Sequence, residues 1–202
     1  MPDQKPIKIE TREILETFFD ARVRVTNERH HDYDGISITV CDMSYRPARN
    51  QDSQATAPSI EQTVMLLSAS DLDLPDFKLT PRLSGVMGAL TQSLASFIEV
   101  TFSDVPEFSK AFAVRAWNEK AIRILFTKAL REFLLTCDGW AAQGKRQHLI
   151  VYLPSEIVAA EAEESFIQSA INILDLLQQG EAELDRFPDL RRETTTGICF
   201  NS

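Results

Sequence analysis

The residues with the greatest chemical capacity in this chain are Arg29-His30-His31-Asp32-Tyr33-Asp34. Imidazole nitrogens and carboxylate oxygens ligate zinc and similar cations, so His30, His31, Asp32 and Asp34 are the metal-ligating candidates. Neighbouring residues on a strand point to opposite faces, so His30 and His31 would share an ion only if the chain bends between them. A solvated hairpin tip is the plainer reading. Asp71, Asp73 and Asp76 offer oxygen ligands to a hard cation, but the spacing lacks the glycine and distal glutamate of a calcium loop. A turn with solvated carboxylates explains them as well. A third group, Glu156, Glu161, Glu163, Glu164 and Asp175, lies in residues 155–179 with no Lys or Arg. Acids in a first helical turn complement the helix dipole, and the same face would attract a basic partner. Glu161, Glu163 and Glu164 are therefore the partner-binding candidates.

Other chemistry is harder to assemble. Cys41, Cys137 and Cys199 are odd in number, far apart and in no CxxC spacing. They read as small apolar residues in a reducing compartment, not as a disulfide framework or a metal clip. There is no GxGxxG, GxxxxGK[ST], HExxH or GxSxG, the patterns that mark nucleotide, phosphate, zinc-peptidase and esterase sites. His148 is the remaining histidine, and spacing alone builds no nucleophile–His–acid set around it. No catalytic residue and no cofactor is expected. Trp117 and Trp140 read as packing residues.

The bulk numbers narrow the partners. A chain of 202 residues suits one domain with a core large enough to need no staples. A net charge of −9 repels nucleic-acid backbones and anionic lipid surfaces alike. Basic protein patches and neutral or cationic ligands remain. Residues 1–15 carry no apolar h-region and no run approaches membrane-spanning length, so a soluble, cytoplasmic chain is expected.

The elements that must position these residues follow from periodicity. Ile14, Leu15, Phe18 and Phe19 lie on one helical face. Val23 and Val25, then Ile36, Ile38 and Val40, alternate as two strands joined by a turn at Asp34-Gly35, with a bulge expected at Asp42. Residues 46–59 are polar, Pro-flanked and expected to be a mobile loop. A strand at 61–67, an extended stretch at 71–81 and a weakly helical one at 82–96 follow. Ile98–Phe102 and Phe112–Val114 alternate as strands. An apolar stripe from Ile122 to Leu134 predicts a long helix over 118–135, with Asn118 as N-cap. Gly144-Lys145-Arg146 is expected to turn a second hairpin, whose strand Leu149–Leu153 is apolar on both faces and hence central in a sheet. A second long helix is expected over 155–179, stopped by Gly180, and a loose tail over 181–202. Mixed helices and hairpins argue α+β with a mostly antiparallel sheet, residues 1–180 forming one domain.

The ordered segments LPDFKLTPR, VPEFSKAFAVRAWNEKAIRILF and HLIVYLP, with CDMSY and EQTVMLL as strands, resemble a family of uncharacterised bacterial proteins over roughly residues 20–178. In that family the domain often follows one or two N-terminal transmembrane helices and faces the cytoplasm. The resemblance implies no catalytic residues. The function expected is a cytoplasmic, non-enzymatic interaction domain with a protein partner, membrane-associated through that partner or through a further N-terminal segment. The alternative is a small-ligand or metal-dependent enzyme using the His30–Asp34 tip or the Asp71–Asp76 segment.

Overall fold

The computed structural model describes residues 10–46, 58–82 and 97–190. Most of the expected loop at 46–59, residues 83–96 of the weakly helical stretch, Cys199 and residues 191–202 of the expected tail lie outside them. The chain opens with helix α1 (Thr11–Phe19), strands β1 (Val23–Tyr33) and β2 (Ile36–Tyr45), β3 (Ile60–Ser68), β4 (Leu74–Pro81) and β5 (Ile98–Val100). Helix α2 (Pro106–Ala111) and strand β6 (Phe112–Ala116) follow, then α3 (Glu119–Leu125) and α4 (Lys128–Leu134). The chain closes with β7 (Ala141–Arg146), β8 (His148–Tyr152) and α5 (Glu163–Leu184). The strands form one eight-stranded sheet in the order β1-β2-β3-β8-β7-β4-β6-β5, and every neighbouring pair is antiparallel.

The two faces of this sheet are covered unequally. Ile38, Val40, Met65, Leu67, Phe77, Leu79, Leu149 and Val151 face the layer of α2 to α5. Cys41, Met43, Tyr45, Val64, Leu66, Ile150 and Tyr152 face the other way, under Leu15 and Phe18 of α1. Strands covered on both faces cannot alternate polar with apolar residues. That is why Leu149-Ile150-Val151 is an unbroken apolar run, and β8 is central as expected, between β3 and β7.

The first hairpin turns at Asp34 (φ 46°) and Gly35 (φ 82°), two positive-φ residues whose twist matches that of the flanking strands. The bulge is real but lies opposite its expected place. Register shifts between Thr26 and Arg29 on β1, Asn27 takes φ 51°, and its amide donates to Asp42 Oδ2 at 2.7 Å. Asp42 also accepts from Thr63 Oγ1 at 2.7 Å, so its carboxylate stitches β1, β2 and β3 together.

The two expected long helices reduce to one. The 118–135 stripe is split: α3 is N-capped by Asn118, whose Oδ1 accepts from Ala121 N–H at 3.0 Å. Phe126 then leaves helical geometry, and Thr127 caps α4 by accepting from Leu130 N–H at 3.2 Å. The apolar period survives the break because both pieces bury their faces in the same core. Phe126 is what the break positions, its ring 5.1 Å from that of Phe77 and 6.1 Å from that of Phe102. The second helix begins at Glu163, not at 155. Ser155 takes φ 63°, and the chain before α5 is strapped to β3, with Thr63 N–H donating to Glu156 O at 2.8 Å and Val158 N–H to Thr63 Oγ1 at 2.9 Å.

Two glycines expected to punctuate the chain instead permit close packing. Gly180 does not end α5, which continues to Leu184. A Cβ there would lie 3.0 Å from Leu125 Cα and nearer still to the Leu125 carbonyl. Gly144 lies within β7, and a Cβ there would lie 2.9 Å from Phe77 Cδ1. The second hairpin turns one step later, at Arg146 (φ 52°) and Gln147, between the paired Lys145 and His148. Gly180→Ala is expected to lower unfolding free energy by about 1–3 kcal/mol, because backbone cannot yield as a side chain can. Chemical denaturation with an unchanged m-value checks this. Wild-type stability would mean that α5 does not rest on Leu125.

Candidate functional site

The structure separates most of the residues that spacing grouped. His30 pairs across β1–β2 with Thr39 and His31 with Ile38, so the two rings face opposite ways. His30 Nδ1 shares a hydrogen bond with Thr39 Oγ1 at 3.1 Å, and its Nε2 lies 3.6 Å from Glu28. His31 Nε2 lies 4.0 Å from Glu163. Asp32 and Asp34 are exposed at the hairpin end. Among the described residues no group of three or more His, Cys, Asp or Glu side chains is arranged to hold a metal ion. The aspartates part too. Asp76 lies 3.8 Å from Lys145, while Asp71 and Asp73 line a groove of about 510 Å³ with Glu181 and Asp185.

The three partner candidates are not equivalent. Glu161 and Glu164 are exposed. Glu163 is turned inward as a two-pronged acceptor for Arg29, 3.0 Å from Nε and 2.7 Å from Nη2. A planar guanidinium meeting both carboxylate oxygens is geometrically specific, so this glutamate ties α5 to the β1 edge. Nearby, Ile157 stands 49% exposed. It borders a depression of about 360 Å³ shared with Arg24, Asp42, Met43 and Glu61. The segment that exposes this isoleucine also exposes Glu156, Glu161 and Glu164, so an apolar spot lies within an acidic stretch of chain.

Buried thiols are inert here. Desolvation, reinforced by Glu28 and Asp42, pushes Cys41 up to about 12. Burial also raises Cys137. Neither carries appreciable thiolate near neutrality. Of the tryptophans, Trp140 packs on Phe166 at 4.9 Å, whereas Trp117 is 53% exposed and meets Phe97 edge-on.

Sequence reasoning missed a cavity of about 740 Å³ where three segments meet: α1, the β3–β4 loop and the β7–β8 corner. Pairing of β3 with β8 sets Ser68 opposite His148, and Ser68 Oγ shares a hydrogen bond with His148 Nδ1 at 2.8 Å. Burial lowers the pKa of His148, so the imidazole is neutral near pH 7. Ser68 and His148 are eighty residues apart and flank two separately read strands; only the strand order could have joined them.

No family model matches the chain, and no curated protein matches it. The fold is similar to that of the crystal structure of the mycobacterial trehalose monomycolate transport factor A, TtfA. The TM-score is 0.52 at 12% identity, over 81% of this chain and 77% of that one. Identity this low shows a shared fold alone. Among the described residues no helix is long and apolar enough to cross a membrane.

The depressed His148 pKa makes a signed prediction. Its folded pKa lies below the ordinary imidazole value of 6.5, so below that pH the unfolded chain binds the extra proton and stability falls as pH drops. His148→Gln is expected to flatten the decline in melting temperature just below pH 6.5. An unchanged slope would mean that His148 titrates normally in the folded protein.

Proposed function

We propose that this protein is a cytoplasmic, non-enzymatic interaction domain that docks a basic protein partner, a member of the bacterial family its segments resemble. The observation that carries the reading is Ile157, an exposed aliphatic side chain in the same segment, 156–164, that exposes Glu156, Glu161 and Glu164. Interfaces draw affinity from a desolvated apolar centre and draw on-rate and specificity from the charged rim. The net charge of −9 favours a cationic partner. The fold is shared with a protein described as a transport factor, which fits a transport-associated role. Membrane association in this reading comes through the partner or through a further segment.

The surface is tested with a basic amphipathic peptide of alternating Lys and Leu faces, and with its Glu/Leu counterpart. Binding of the basic peptide is expected to weaken with salt. It should fall about tenfold or more in the triple variant Glu156→Gln, Glu161→Gln, Glu164→Gln, and separately in Ile157→Asp. The neutralising changes lose only about 0.3–1 kcal/mol per first-turn acid at α5, so the melting temperature checks that the fold is kept. Equal binding of the acidic peptide, or undiminished binding by both variants, would overturn the reading. Glu163→Gln is the internal control: it is expected to lower stability through Arg29 with little effect on peptide binding.

A further inference from the structure

The cavity between α1, the β3–β4 loop and the β7–β8 corner presents both signs of charge to one space. Its volume of about 740 Å³ falls within the range of small-ligand sites. Lys145 and Arg146 contribute from the β7–β8 corner, Glu13 from α1 and both Asp71 and Asp73 from the loop, over an apolar lining that includes Ile14 and Leu72. Asp76 sits behind the cationic wall, 3.8 Å from Lys145 and within the field of Arg146, which leaves that wall with an excess of positive charge. A purely anionic ligand would meet Glu13, Asp71 and Asp73, and a purely cationic one would meet Lys145 and Arg146. Only a molecule carrying both charges is complementary to both walls.

Beyond these charged groups the lining adds the uncharged Thr17, Ser70, Gln147 and His148. His148 lines the cavity with its Nδ1 held by Ser68 Oγ and adds no charge to either side. Arg146 holds its position at the corner with φ 52°, in the left-handed region that a non-glycine residue occupies at some cost. Such strain concentrates at binding sites, and here it belongs to a residue lining the cavity.

We propose that this cavity binds a small zwitterion of the amino-acid type, with its carboxylate toward Lys145 and Arg146, its amine toward Glu13 and Asp71, and an apolar side chain against Leu72. This site is separate from the acidic surface around Ile157, and either can fail without the other.

The test is an amide-detected NMR titration of the full chain with leucine, and with acetate and n-butylamine as the two half-ligands. Leucine is expected to saturate, with shift changes confined to residues 13–17, 70–73 and 145–148. Each half-ligand should bind at least about tenfold more weakly, since it leaves one charged wall without a partner. Arg146→Gln and Asp71→Asn, both at exposed positions, should each weaken leucine by about tenfold with the melting temperature kept. Three results would overturn the proposal: no saturation by leucine, butylamine or acetate binding as tightly as leucine, or shifts centred elsewhere on the chain.

Discussion

Helix α5 can lie on the sheet only because Gly180 lets its backbone meet the carbonyl of Leu125, and much of the architecture depends on that approach. The helix has 22 residues and so runs about 33 Å at 1.5 Å per residue. Its two ends are held by carboxylates. Glu163 grips Arg29 of β1, and the buried Glu181 accepts from the Asp73 backbone N–H at 2.7 Å. The first contact ties the helix to an edge strand and the second ties it to the β3–β4 loop. With both ends set, Phe166, Ala170, Ile171, Leu174 and Leu177 come down on the core. Moving α5 outward by one methyl group would loosen the whole layer, because close-packed interiors tolerate little change in volume.

The acidity of the chain divides into two uses. Asp42, Glu163 and Glu181 accept hydrogen bonds from neighbouring elements and act as internal ties. Glu156, Glu161 and Glu164 are exposed in the segment that carries the uncovered Ile157. Internal carboxylates are held by geometry and resist salt, whereas exposed ones act through a field that salt screens over about 10 Å. That distinction separates structure from recognition in a region whose composition is uniformly acidic.

The buried guanidinium of Arg131 shows how cations are used. It lies 4.4 Å over the Phe102 ring and 2.5 Å from Asp104, while Arg123 lies 5.7 Å from the same ring. Arginine is weakly hydrated and stacks on aromatic faces. These contacts close the α4 side of the core around Phe102, Phe108 and Phe126.

Periodicity in the sequence determined the strand segments, the Asp34-Gly35 hairpin, the central position of Leu149–Val151 and the α+β class, because burial on one or both faces is written directly into side-chain order. It also marked most of the buried residues of α3, α4 and α5, although Ala129 within the stripe is exposed and Ile173 is buried without being marked. It could not show that α3 and α4 are separate, since a capped break that keeps the same buried face keeps the same period. Nor could it tell a turn glycine from a packing glycine: Gly144 and Gly180 are explained by Phe77 and Leu125, which are distant in the chain. The candidate surfaces followed the same rule. The acidic run of residues 155–179 was legible as composition, but which glutamate faces Arg29 and which faces solvent was decided by the docking of α5. The Ser68–His148 pair and the cavity beside it exist only because β8 inserts between β3 and β7. That strand order brings together side chains eighty residues apart, and local periodicity carries no record of it.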